Sequence, residues 1–266
     1  MAAVRPRSAP PSRLLQTMES RAVFELGAVA AASPLLRLIG RGDHHPVLIL
    51  PGFLADDPST APLRYVLRGQ GYWVHGWQLG RNLGPTQHII DGLIARLTTL
   101  HEMHQKPVSI VGWSLGGIYA RRLARRYPHM VRQVITLGSP FRSNPRQNRS
   151  TVSALYDRLS TTHVVAVDDL LPGIEAGPLT VPTTAIYTRT DGVVRWWQCI
   201  ESIGHERENI EVRGSHSGLG FNTAAIFAIS DRLAQPIDGW QPFRAPCGFT
   251  HSYPRPADWT PDLHVA

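Results

Sequence analysis

Short strand-type runs alternating with helical patterns predict an α/β protein with a mostly parallel central sheet and helices on both faces. Three observations carry this reading. Residues 47–50 and 108–113 are compact apolar runs of the kind buried on both sides of a parallel sheet. Residues 86–106 place Ile89, Ile90, Leu93, Ile94, Leu97, Leu100 and Met103 on one face at i, i+3, i+4, i+7 spacing, the mark of an amphipathic helix. Glycine and proline punctuate these segments at Pro51-Gly52, Gly69, Gly71 and Pro107. A length of 266 residues suits one or two domains of this class.

Taken in order, the first 13 residues hold Arg5, Pro6, Arg7, Pro10, Pro11 and Arg13 and read as an irregular basic arm. Residues 14–39 read as helix, with a break expected at Pro34. A basic start followed by alanines resembles an export signal. Glu19 and Glu25 interrupt the approach, however, and Gly27 and Pro34 fall inside the uncharged run, so a packing or docking helix and a cytoplasmic location are expected. From there the pattern gives a strand at 47–50, a helix at 62–68, a strand at 72–77 and the long helix at 86–106. A strand at 108–113, a helix at 117–127, a strand at 131–137 and strands near 184–187 and 209–212 follow, then a last helix at 223–233. Two stretches depart from this alternation. Residues 139–181 form a lid-like insertion with a helical piece at 151–159. Residues 236–266 form a tail rich in proline and aromatics, either a surface wrap or partly disordered. The expected division is therefore an arm and helix at 1–40, a main domain at 41–235 and a tail at 236–266.

The net charge is +7 with a single lysine, Lys106. The arginines are scattered. Only Arg121, Arg122, Arg125 and Arg126 cluster, at helical spacing, and a solvated helix face is the expectation there. No nucleic-acid motif accompanies the charge, so nucleic acid is not an expected partner, while peripheral membrane contact stays open. No run of 18 apolar residues occurs, which argues against a spanning helix. Cys199 and Cys247 are too few for a disulfide-dense scaffold or a CxxC metal site, and one bridge between them is left open.

The chemistry concentrates after the strand at 108–113, in Gly112-Trp113-Ser114-Leu115-Gly116-Gly117. A serine on a strained turn between strand and helix projects its hydroxyl beyond the sheet, while flanking glycines let the two elements approach. Ser114 is therefore the candidate nucleophile, and the Leu115 amide at the helix start is a candidate oxyanion donor. A serine hydroxyl needs a base within reach and a third group to orient that base. Among 12 histidines, His216 lies after a predicted strand, centred in Gly214-Ser215-His216-Ser217-Gly218. Asp191, after the strand near 184–187, is the candidate acid, with Asp168 and Asp169 as runners-up. Phe53, after Gly52, is the candidate for the second oxyanion amide. Trp113 and Phe141 are candidates for lining an acyl pocket, with packing in the core of a lid as the alternative. No metal or organic cofactor is called for by this set.

The chain resembles an α/β-hydrolase of the bacterial lipase and esterase type over about residues 40–235. The matching residues are Leu50-Pro51-Gly52-Phe53, Gly112 to Gly117, Leu137-Gly138-Ser139-Pro140, Tyr187 to Gly192 and Gly214-Ser215-His216. The run Gly80-Arg81-Asn82-Leu83-Gly84-Pro85 is similar to a loop of lipase-like bacterial members. Pro51 stands where many lipases carry histidine, and no calcium-binding loop is evident. The resemblance implies carboxylic-ester hydrolysis through an acyl-enzyme; lipid or short-to-medium-chain acyl esters are the expected substrates, with a polyester or thioester as the alternative. Two alternatives share the same residues: an acyltransferase, and a non-catalytic binding protein on a hydrolase fold.

Overall fold

A computed structural model of the chain describes residues 11–37, 42–142, 177–202 and 204–254. Most of the expected insertion, its helical piece at 151–159, and Asp168 and Asp169 lie outside the described residues, as does the tail beyond 254. A short helix α1 (Arg13–Thr17) passes through a 3-10 turn (Met18–Arg21) into α2 (Ala22–Leu36). Pro34 does not break α2, contrary to expectation. The Ser33 hydroxyl donates to the Ala30 carbonyl (3.1 Å), the acceptor that proline, lacking an N–H, leaves without a helical partner. The break falls instead at the 3-10 turn.

The sheet contains β1 (Pro46–Leu50), β2 (Trp73–Gly76), β3 (Val108–Trp113), β4 (Val131–Leu137), β5 (Thr183–Tyr187) and β6 (Arg207–Glu211). They lie in the order β2-β1-β3-β4-β5-β6, each pair parallel. The remaining helices are α3 (Ala61–Gly69), α4 (Gln87–His104), α5 (Leu115–Arg126) and α6 (Thr223–Leu233). Alternation along each strand divides the core in two. Val47, Ile49, Val111, Ile135 and Leu137 face α2, α3 and α6. Leu48, Leu50, Val108, Ile110, Val131 and Val134 face α4 and α5. The expected strand near 209–212 begins earlier, at Arg207, because backbone pairing with β5 recruits a polar stretch that has no apolar signature.

The tail resolves towards the wrap reading over residues 236–254. Phe243 and Tyr253 pack with Phe227 of α6, and the Tyr253 hydroxyl donates to the Ala224 carbonyl (2.9 Å). Cys199 is buried and Cys247 exposed, and both thiols are free, so the open question of a bridge closes against one. Arg121 corrects the expected solvated arginine face: it is buried and ion-paired with Glu201. No described helix is long and apolar enough to cross a membrane.

Candidate active site

Because every strand runs in one direction, the loops after β1, β3, β5 and β6 emerge along one edge of the sheet, where α/β folds place their sites. The link from β3 to α5 is a single residue. Ser114 sits at φ 52, ψ −117, a backbone conformation that costs an L-residue energy and persists only when its surroundings enforce it. Its amide donates to the Leu137 carbonyl at 2.8 Å, which ties the turn to β4. A Cβ at Gly112 would lie 2.4 Å from the Gly116 carbonyl oxygen, and one at Gly116 would lie 2.4 Å from that of Leu50. The glycines at these positions are thus required by close approach of strand, turn and helix.

His216 follows β6, and its Nε2 lies 3.1 Å from Ser114 Oγ. Its Nδ1 lies 2.7 Å from Oδ2 of Asp191, which follows β5. The second Asp191 oxygen, Oδ1, accepts the amides of Val193 (2.8 Å) and Val194 (2.7 Å), so both carboxylate oxygens are engaged. Burial alone would lower the His216 pKa. The Asp191 charge and hydrogen bond, with a further contribution from the Glu19 charge, outweigh it and leave the imidazole more basic than usual. Burial, then the Asp191 charge, pushes the neighbouring Cys199 thiol up, which keeps it protonated.

The Pro51–Phe53 turn lies against the elbow: a Cβ on Gly52 would sit 3.3 Å from Ser114 Cβ. Phe53 is half-buried there, and Leu115 opens α5 immediately beyond the serine. Asn82 holds this turn. Its side-chain amide donates to the Pro51 carbonyl (3.0 Å), its backbone carbonyl accepts from Leu54 (2.7 Å), and its backbone amide donates to Ala55 (2.8 Å). Only the Gly80–Pro85 run pointed towards this residue in the sequence.

The two pocket candidates have other contacts. The Trp113 indole N–H donates to the His216 carbonyl (3.1 Å), and its ring packs edge-on against Phe221. Phe141 has one ring face covered by the Arg121 guanidinium, 3.9 Å from its centroid. Sequence reasoning also missed Glu19, Arg21 and Glu25, whose side chains reach the loops carrying Asp191 and His216. Among the described residues, no group of three or more His, Cys, Asp or Glu could hold a metal ion.

Residues 75–171 match the PGAP1-like alpha/beta domain family. No curated protein matches the chain. Among solved structures, it is similar to Aspergillus fumigatus lipase B, with a TM-score of 0.55 at 17% identity over 76% of this chain and 54% of that one. It thus spans about half the length of that lipase. A pyrethroid hydrolase from Sphingobium faniae JZ-2 gives a TM-score of 0.53 at 16% identity, covering 72% of this chain and 98% of that one. The pyrethroid hydrolase PytH gives 0.52 at 16% identity, with 73% and 99% covered.

Proposed function

We propose that this chain, an α/β-hydrolase by fold, is a serine hydrolase that cleaves carboxylic esters through an acyl-enzyme. The observation that carries the reading is the continuous relay from Ser114 Oγ to His216 Nε2 (3.1 Å) and from His216 Nδ1 to Asp191 (2.7 Å). Ser114 attacks the ester carbonyl while His216 takes its proton. Asp191 holds the imidazole in the tautomer with the proton on Nδ1 and stabilises the imidazolium. The amides of Leu115 and Phe53 hold the tetrahedral oxyanion. His216 protonates the departing alcohol, then deprotonates the water that releases the acid.

Lipid or short-to-medium-chain acyl esters are the proposed substrates. The names of the similar structures, a lipase and pyrethroid hydrolases, support this class. A panel of p-nitrophenyl esters of increasing chain length tests the reading. Ser114→Ala and His216→Ala should each lower turnover by on the order of 10⁶ in folded protein. Near-normal hydrolysis by either variant would refute the assignment.

Peripheral contact with an anionic membrane is the proposed route to lipid substrate. Two features support it. Val23, Phe24 and Leu35 of α2 and Leu14 of α1 are exposed, and the first 13 residues carry Arg5, Arg7 and Arg13 with no acidic residue.

A further inference from the structure

The segment from α1 to α2 lies outside the resemblance, yet its side chains Glu19, Arg21 and Glu25 make polar contacts on the two loops that deliver the acid and the base. Glu19 accepts three backbone N–H groups. Its Oε1 takes those of Gly192 (2.8 Å) and His216 (3.0 Å), and its Oε2 takes that of Ser217 (2.8 Å). One carboxylate therefore joins the residue after Asp191 to His216 itself. Arg21 repeats the pattern with the opposite charge. Its guanidinium donates to the Thr190 carbonyl (2.9 Å) and to that of Gly214 (2.5 Å). Glu25 accepts from the Ser215 amide (2.8 Å) and hydroxyl (2.9 Å), and from the Asn222 side chain (3.1 Å).

Three glycines make room for this approach. A Cβ on Gly192 would lie 2.3 Å from the Leu15 carbonyl oxygen, and one on Gly218 would lie 2.1 Å from Glu25 Oε2. One on Gly214 would lie 3.1 Å from the same Glu25 oxygen. Glycine at these positions admits the backbone and side chains of the N-terminal segment to the two loops.

We propose that Glu19, Arg21 and Glu25 are positioning residues, forming an N-terminal clasp that fixes the Asp191 and His216 loops in register so that the imidazole meets Ser114. The inference rests on the ester-hydrolase reading for its effect on turnover, but the clasp itself concerns loop geometry alone. Sub-ångström placement is what a hydrogen-bonded base needs, and a misplacement of about 1 Å can cost on the order of 10² in rate. Burial alone would raise the Glu19 pKa. Its bonds from Ser217, Gly192 and His216 outweigh that and lower it, so Glu19 is charged at neutral pH. The charged groups facing His216 are Asp191 from the β5 loop, Glu19 and Arg21 from the 3-10 turn, and Glu25 of α2 through Ser215.

The test compares Glu19→Ala and Glu19→Gln in the full chain, with melting curves to report folding. Glu19→Ala should lower kcat by on the order of 10² with KM within about threefold. Glu19→Gln keeps an acceptor for Gly192 and His216 and should recover part of that loss. Both remove a negative charge that favours the imidazolium. The His216 pKa should therefore fall, and the acid limb of the kcat/KM profile should move to lower pH. A merely structural contact would lower the melting temperature and leave that limb in place. The same shift is readable without substrate, by NMR titration of the His216 imidazole. An unchanged titration with kcat within about twofold of wild type would overturn the clasp. If Glu19→Ala does not fold, the same two readings on Glu19→Gln decide. Wild-type inactivity on every ester would sink the proposed reaction instead and leave the NMR result to judge the clasp.

Discussion

Ser109 and Ser114 stand on and just past the same strand, and each faces a histidine backed by an aspartate. Ser109 Oγ lies 2.8 Å from His45 Nε2, and His45 Nδ1 bonds to Asp43. The residue types match those at Ser114, but the environment differs. Ser109 and His45 are buried towards the amino ends of β1 and β3, away from the loops that assemble at the other edge. Burial, then the Arg132 charge, pushes the His45 pKa down to about 4, against the pull of Asp43. That imidazole is neutral across ordinary pH and ties two strands together. His216, by contrast, is held more basic than usual by Asp191. If Asp191 sets the imidazole tautomer, Asp191→Asn should lower kcat by roughly 10⁴ on a p-nitrophenyl ester. A mild effect there beside a severe one for Asp169→Asn would show that the acid was assigned to the wrong residue. The sequence singled out His216 by its place after a strand. It could not weigh Trp113 the same way, since an indole that bonds a histidine carbonyl leaves no local pattern.

Among the elements, the unit of β3, Ser114 and α5 is the most legible, because its sterics are local. Strand and helix meet through one residue, and the glycines at 112 and 116 follow from that geometry. Gly116→Ala would press a Cβ against the backbone carbonyls of Leu50 and Pro51. Overpacking of this kind costs about 1–3 kcal/mol. At this chain length, that should appear as a melting temperature lower by roughly 2–12 °C. An unchanged melting curve with full activity would show that the packing at the elbow is looser than the distances state. The polar edge strand β6 was less legible. Its first residues, Arg207 and Glu208, are drawn into strand by pairing with β5 rather than by any periodicity of their own. Helix α2 posed the opposite problem. Its apolar residues surround the helix, so no stripe announces which side packs, and only Val29 and Leu36 are buried.

At the scale of the molecule, an unpacked apolar surface meets a positive charge balance. Phe24 is 81% exposed and Val23 73% exposed, on a segment that follows the arginines of the first 13 residues in sequence. Apolar insertion together with attraction to anionic headgroups is the combination that holds a protein at a bilayer surface. The full chain should therefore co-sediment with phosphatidylglycerol vesicles more than with phosphatidylcholine vesicles, and high salt or Phe24→Ser should weaken this. No binding to either vesicle at low salt would remove the membrane from the proposal. The sequence by itself determined the parallel α/β plan, the turn at Ser114 and the chain order of Ser114, Asp191 and His216. Strand and helix periodicities and the steric demands of a tight turn are written over a few neighbouring residues, so they survive as local pattern. Only the tertiary structure decided that Arg121 is buried against Glu201 and that Asn82 braces the Pro51–Phe53 turn. It alone also brought Glu19 onto the amide of His216, 197 positions away. Those contacts join residues with no periodic relation, and their energy exists only once the sheet has brought the loops to one edge.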